Sequence, residues 1–358
     1  METEIFKIMI ELTAKDILFA KNVGDIFTND KNIIKSEYIA LSKRWHPDYN
    51  DNSDESNAVM SKINLLYDNA LKLIENKKWE GNNFLQLCDK NNKLYHIKYL
   101  SRHNFELGSV FICDDKVVYL LNKDYKSFYI NYMNNIKTLK YADDKMKSEF
   151  NKYLPIKNEY FEANDNKFTI IVNKTDDLFL LEDVWEYYNG NIPDRHVAWI
   201  LSSLYNIACY LDYNNISHNG IDTKNYFISS KYHSGALLGG WWYTVNTNQK
   251  MLGISKSLYD VLPPRIKEDK FGNITTDLES IRLIGKQLLG EKNGCKIKYN
   301  KNLPQPIVNW LLMGSSENAF VEYSKWNTVL TNAYGKRKFI DMGLSSEILY
   351  KNLSERRK

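Results

Sequence analysis

The residues whose types and spacing could do chemistry fall in three places: His46-Pro47-Asp48, the run from His218 to Asn225 with Asp222 inside it, and Asp277. The first trio joins an imidazole to a carboxylate across a proline. The second run carries an imidazole, a carboxylate and an amide, the types from which general bases and magnesium ligands are drawn. Cys88, Cys113, Cys209 and Cys295 are far apart and form no CxxC pair. That predicts reduced thiols and no zinc site.

Helical periodicity positions the first trio. Ile34, Tyr38, Leu41 and Trp45 recur at spacings of four, three and four, one apolar stripe of a helix. Pro47 ends that helix, because it lacks an N–H and restricts the residue before it. The polar run 48–54 reads as a loop whose Ser and Asp residues cap the next helix. There Met60, Ile63, Tyr67, Leu71 and Ile74 share a side. The two amphipathic helices predict a hairpin in which Tyr38, Leu41 and Trp45 pack against Ile63 and Tyr67. A shorter helical pattern covers 14–20, and a long insert, 21–32, separates it from the next helix.

After Trp79 the pattern changes to strands at 93–100, 109–113, 117–121 and 168–172, separated by Asn and Asp turns. From Asp194 helices dominate, at 196–211, 277–289, 304–312 and 324–333. Strands followed by helices predict an α+β architecture. The expected division is 1–78, helical; 79–177, strand-rich; and 178–358, helical.

The chain has 358 residues, 43% of them apolar, enough for more than one packed core. Its net charge of +4, from 48 basic and 44 acidic residues, does not point to a nucleic-acid partner. Lys336-Arg337-Lys338 and Arg356-Arg357-Lys358 read as solvated helix ends. The first residues, METEIFKIMIELTAKD, lack the pattern of a signal peptide, and no segment reaches the ~20 apolar residues of a membrane span. The expectation is a soluble cytoplasmic protein with no membrane partner. Abundant Asn, Lys, Ile and Tyr suggest an AT-rich coding genome, a low-GC bacterium or a phage of one.

Residues 13–74 resemble a J-domain. Asp16-Ile17-Leu18 stands where such domains begin their first helix. The stretch from Ile34 to Asp48 is similar to their second helix and signature loop, and Met60 to Tyr67 to their third. The resemblance implies docking on a DnaK-type chaperone and stimulation of its ATPase. His46, Pro47 and Asp48 would form the contact, and Lys35, Lys43 and Arg44 would give electrostatic support. Where many members carry a basic pair after the central Tyr, this chain has Ile39-Ala40.

Residues 84–342 resemble the protein-kinase fold. Asn215 to Ile228 is similar to the catalytic loop H-R-D-L-K-x-x-N and its following strand. Ala236 to Trp241 lies where D-F-G would stand, Leu262-Pro263-Pro264 where A-P-E would, and Thr276 to Arg282 is similar to D-x-W-S-x-G. Glu279 and Arg282 replace the Trp and Gly of that last motif. Phosphoryl transfer needs a base, an Asp and an Asn for magnesium, and a Lys–Glu pair for the phosphates. With His218 and Asn225 aligned, Gly220 takes the place of the catalytic aspartate, and Gly239 or Gly240 that of the magnesium aspartate.

Phe105 to Phe111 has one glycine where the phosphate loop wants three. The strand 116–121 is apolar where the phosphate lysine belongs, which leaves Lys123, paired with Glu149, as a substitute. Asp222 lies three residues before Asn225, where the family's base lies five before. It reads as a loop-capping or solvent-facing acid, and His218 as a core residue. The resemblance gives Asp277 a bracing role, accepting backbone N–H bonds from the 218–225 loop. Trp241 and Trp242 are candidates to fill the vacated nucleotide site.

The sequence therefore reads as a co-chaperone. A J-domain recruits the DnaK-type ATPase, and a pseudokinase, with no cofactor and no metal, binds a protein client or anchors the pair to an assembly. The rival readings are an atypical ATP-dependent transferase with unusual catalytic residues and a nucleic-acid-associated factor that uses the basic runs 336–338 and 356–358.

Overall fold

Thr13 starts the first helix, α1 (Ala14–Phe19), through a reciprocal cap: its hydroxyl accepts the Asp16 N–H at 3.3 Å, and the Asp16 carboxylate accepts the Thr13 N–H at 2.9 Å. The computed structural model describes residues 12–20, 23–27, 34–50, 53–76, 83–91, 93–163, 166–259, 264–291, 293–336 and 338–356. Parts of the 21–32 insert, with Leu262, Pro263, Arg337, Arg357 and Lys358, lie outside them. The protein mixes helices and strands and divides into two units, 1–102 with 161–167 and 358, and 103–160 with 168–357.

In the first unit, α2 (Ile34–Trp45) and α3 (Asp54–Glu75) pack together, and Ser53 caps α3 by accepting the Ser56 N–H at 3.2 Å. The core joins Ile17, Ile34, Leu41, Val59, Ile63 and Leu66. Each such buried side chain stabilises by about 1.5–3 kcal/mol relative to exposure. The deeply buried stripe of α3 is Val59, Ile63, Leu66 and Ala70, whereas Met60, Tyr67, Leu71 and Ile74 are only partly covered. The stripe sits one step round from the expected one because α1 packs on α3 as well as α2 does.

Tyr38 and Trp45 are likewise partly buried. Tyr38 stacks on Tyr67 at 4.1 Å and donates its hydroxyl to Asn64 Oδ1 at 2.9 Å. The described part of the insert supplies core through Val23, Ile26 and Phe27. The unit also holds an antiparallel pair, β1 (Asn83–Cys88) and β2 (Leu94–Tyr99), of which only the second was expected. Asp89 closes their turn by accepting the Asn91 and Lys93 N–H groups at 2.8 and 2.9 Å.

A five-stranded sheet follows, ordered β3-β4-β5-β7-β6, from β3 (Ser101–Phe105), β4 (Gly108–Ile112), β5 (Lys116–Leu121), β6 (Asn158–Glu162) and β7 (Phe168–Asn173). Val117 to Leu121 are all buried, so β5 is covered on both faces, and it pairs antiparallel with β4 and β7. Two helices that the periodicity does not reveal, α4 (Lys126–Lys137) and α5 (Asp144–Phe150), lie between β5 and β6 in sequence.

The rest of the second unit is mainly helical. Strand β8 (Leu178–Leu180) leads into α6 (Leu181–Tyr187) and the long α7 (Asp194–Tyr213), then β9 (Ile216–Ser217), β10 (Tyr226–Ser229) and β11 (Ser234–Leu237). A 3-10 turn, Trp241–Tyr243, precedes β12 (Val245–Asn246), α8 (Lys256–Tyr259) and α9 (Pro264–Asp269). Then come α10 (Ile274–Leu288), α11 (Cys295–Tyr299), α12 (Gln305–Leu312), α13 (Ala319–Tyr334) and α14 (Ser346–Arg356).

Helix α7 is the hub of this part: most of its residues are buried, and it packs against α10 and α13. Trp326 donates its indole N–H to Ser202 Oγ at 2.9 Å, and Trp310 donates to the Tyr205 hydroxyl at 3.0 Å. Gly285 permits the close approach of α7, α10 and α12, since a Cβ there would lie 2.6 Å from Leu311 and 2.9 Å from Leu201. No described helix is long and apolar enough to cross a membrane.

Candidate functional site

The loop after α2 is a single tight turn. Pro47 opens a 3-10 turn, Pro47–Tyr49, and Asn50 closes it by donating its amide to Arg44 O at 2.8 Å and His46 O at 3.0 Å. The Arg44 carbonyl is among the ones a helix end leaves without partners, and His46 O also accepts the Tyr49 N–H at 3.0 Å. His46 Nδ1 accepts the Asp48 N–H at 3.2 Å, which leaves Nε2 to carry the ring proton. The Asp48 carboxylate stays largely in solvent, 3.6 Å from the ring, and Tyr49 beside it is 80% exposed.

Lys43 and Arg44 occupy the last turn of α2, next to this loop. Arg44 is partly buried with its guanidinium 5.2 Å from the Trp45 ring centre. Lys35 stands in the first turn, about 12 Å along the helix from Lys43, so the structure does not bring it to the loop. Of the pair after Tyr38, Ile39 is exposed and Ala40 is buried.

In the second unit the 218–225 loop is organised by Asp277. Asn273 caps α10 by accepting the Thr275 N–H at 2.9 Å, which places Asp277 in the first turn. The Asp277 carboxylate accepts the His218 N–H at 2.8 Å and the Asn219 N–H at 2.9 Å. Burial pushes its carboxyl up to about 7, against the pull of those two hydrogen bonds. His218 is fully buried, edge-on to Trp241 at 4.8 Å, and burial lowers it to about 3, so its ring is neutral. Asn225 donates its amide to Gly220 O at 2.9 Å, and its own carbonyl accepts the Leu238 and Gly239 N–H groups at 3.2 and 3.1 Å.

The three glycines that stand where acids were sought have no room for a side chain. A Cβ on Gly220 would lie 2.8 Å from the Tyr243 ring. On Gly239 it would lie 2.4 Å from Asn225 Oδ1 and 2.6 Å from the Tyr119 hydroxyl. On Gly240, whose φ of +82° already favours glycine, it would lie 2.6 Å from the His218 ring and 2.7 Å from Gly220 O.

Beside them is an aromatic plug. Trp242 stacks on Phe105 of β3 at 5.3 Å and meets Tyr119 of β5 edge-on at 5.0 Å. Trp241, Trp242 and Tyr119 are all buried. The plug is held by groups that sequence reasoning missed. Asn131 and Asn135 of α4 donate their amides to the carbonyls of Trp241, Trp242 and Thr244 at 2.8–3.3 Å. Glu106 accepts the Tyr243 hydroxyl at 2.6 Å and the Lys256 N–H at 3.0 Å. The i, i+4 spacing of the two asparagines on one helix face was the available signal.

Asp222 caps the loop but does not face solvent. It is buried, and its carboxylate accepts the Lys224 N–H at 2.9 Å and the hydroxyls of Ser255 and Ser257 at 2.5 and 3.3 Å. Burial pushes it up to about 6 in spite of the Ser255 bond, with Glu106 and Glu182 adding to the rise. Glu149 is no partner for Lys123: its two oxygens take the Lys152 ammonium at 2.8 Å and the Tyr153 hydroxyl at 2.5 Å, both near it in sequence. His103 of β3 and the buried Asp183 of α6 make a further pair at 2.7 Å. Arg282 forms a buried ion pair with Glu322 of α13 and lies over the Trp310 ring at 4.0 Å, which gives it a packing role in α10.

The centre around residues 218–240 can brace and pack. Among the described residues no three His, Cys, Asp or Glu side chains gather where they could hold a metal ion. Of the sequence-predicted positions, the fold brings His218, Gly220, Asn225, Gly239, Gly240 and Asp277 together, while Asp222 points instead to Ser255 and Ser257. No family model matches the chain, and no curated protein does.

Proposed function

We propose that the chain is a co-chaperone. Its first unit acts as a J-domain that docks on a DnaK-type chaperone and stimulates ATP hydrolysis there. Its second unit is a protein-kinase-like domain without catalytic acids that binds a protein client. The cytoplasm, or a host's cytoplasm for a phage protein, goes with this reading.

The observation that carries it is the exposed His46-Pro47-Asp48 turn between α2 and α3, clipped shut by Asn50. Lys43 and Arg44 beside it supply the positive rim that such a contact uses to speed encounter. The inactive reading of the second unit is supported by three glycines packed too tightly for carboxylates and by the Trp242–Phe105–Tyr119 plug.

The test is single-turnover ATP hydrolysis by a DnaK-type chaperone with the full chain added. The wild-type chain raises the rate; His46→Gln and Asp48→Asn abolish the increase while melting at the wild-type temperature. If both variants stimulate like wild type, the co-chaperone reading fails.

One observation favours the transferase reading. Asp222, at about 6, lies in the range useful to a general base and touches two serine hydroxyls. Labelled phosphate transfer that disappears in Asp222→Ala would establish that reading instead.

A further inference from the structure

Lys336 and Lys338 border a cleft of about 540 Å³ in the second unit that the co-chaperone reading leaves unused. Cavities of this size take small organic ligands. One wall is a ladder of three rings. Trp199 of α7 stacks on His233 at 4.6 Å and 4°, and His233 stacks on Phe339 at 3.9 Å and 16°.

The ladder is preset. His233 holds a left-handed φ of +46° in the turn between β10 and β11, and its Nε2–H donates to Ile340 O at 2.8 Å. Phe339 ends the ladder and is 64% exposed, so its outer side is open to another ring.

The lining is also cationic, with Arg195, Lys336 and Lys338 all bordering the cleft. Arg195 lies over the Tyr334 ring at 4.7 Å. The two acids nearby are engaged: Asp194 accepts the Tyr334 hydroxyl at 2.7 Å, and Asp341 accepts the Gly343 N–H at 2.9 Å. An acidic side chain would satisfy the cations and leave the ring unmet; an apolar ligand would do the reverse. A planar base bearing phosphate satisfies both.

We propose that this cleft binds a nucleotide, with the base stacked on the outer face of Phe339 and the phosphate met by Arg195, Lys336 and Lys338. The ligand is either a free nucleotide or one unit of a single strand, since both offer a base and a phosphate. Stacking makes binding tolerant of base identity, and the phosphate contacts make it weaken with salt. The site is separate from the plug at Trp242 and does not depend on the co-chaperone reading.

The test uses the full chain with fluorescently tagged AMP and ATP, a tagged short oligothymidylate and a tagged phosphopeptide, read by anisotropy at about 50 and 200 mM salt without magnesium. Phe339→Ala should weaken nucleotide binding by about tenfold. Lys336→Ala with Lys338→Ala should weaken it and flatten its salt dependence. Lys301→Ala, an exposed lysine outside the cleft, should bind as wild type. Because all of these side chains are exposed, the variants should melt like wild type. Oligothymidylate binding alone, with the same dependence on Phe339, upholds the proposal and assigns the ligand to a strand. Binding that ignores Phe339→Ala, binding of the phosphopeptide alone, or no binding of any probe overturns it.

Discussion

Oδ2 of Asp277 accepts the backbone N–H of His218 at 2.8 Å, with both residues sealed from solvent. A second hydrogen bond, from Asn219 to Oδ1, fixes the start of the loop whose far end Asn225 ties to Gly220 and Gly239. One carboxylate on α10 thus determines the shape of the candidate centre. Asp277→Ala leaves two buried N–H groups without a partner, at a cost of roughly 1–3 kcal/mol each. Asp277→Asn keeps one acceptor and should lose about half as much. Urea unfolding measures both, and equal stability of Asp277→Ala and wild type would refute the bracing role.

The same carboxyl predicts a pH dependence. Its ordinary value of 3.8 is raised to about 7 by burial, and that of Asp222 to about 6. A raised acid binds its proton more tightly when folded, so its contribution is complete below about pH 4 and is lost as pH climbs through the folded value. Stability of the second unit should therefore decline between about pH 4 and 7 from these two groups. Asp277→Asn and Asp222→Asn should each flatten the decline. A wild-type curve rising across that window, unchanged by the variants, would show that neither carboxyl is held neutral.

Periodicity made α2, α3, α7, α10, α12 and α13 legible, because each presents a stripe to a core. Alternation and apolar runs did the same for β4, β5 and β7. Helix α4 was not legible: Phe128, Tyr129, Ile130, Tyr132 and Met133 crowd its faces, and its decisive residues, Asn131 and Asn135, are polar groups aimed at carbonyls far away in sequence. The same limit applies at the centre. The spacing of His218, Asn225 and Asp277 marked the loop, but Tyr119 and Glu106 act only through partners in other segments, and no local pattern carries that. The tightness around Gly220, Gly239 and Gly240 is likewise a product of packing.

In the first unit the cost of truncation should follow burial. Leu41 is fully buried between α2 and α3, so Leu41→Ala should cost about 2–5 kcal/mol. Trp45 is larger but only partly buried, so its truncation gives up less than full burial. Trp45→Ala should therefore cost less than the 3–5 kcal/mol typical of a buried aromatic, and less than Leu41→Ala. Thermal melts of the two variants decide the order; the reverse order would move the hairpin's packing face towards Trp45.

Acids added at the glycines of the centre should not confer phosphate transfer. Gly220→Asp and Gly239→Asp each place a carboxylate where the resemblance to kinases expects one. Yet the first collides with the Tyr243 ring, and the second with Asn225 and Tyr119. Such overpacking typically costs about 1–3 kcal/mol, and here it would also bury a charge among aromatic rings. Transfer further needs a cation for the phosphates, and Tyr119, Phe105 and Trp242 fill the space beside those glycines with stacked rings. One well-placed electrostatic contact is worth about 2.7–4 kcal/mol of barrier, so a single added acid leaves the remainder unmet. The full chain, with labelled ATP and magnesium or manganese, should show background label transfer for wild type and both variants, and both variants should melt lower. Transfer gained by Gly239→Asp at an unchanged melting temperature would mean that the centre opens readily and that packing does not forbid an acid there.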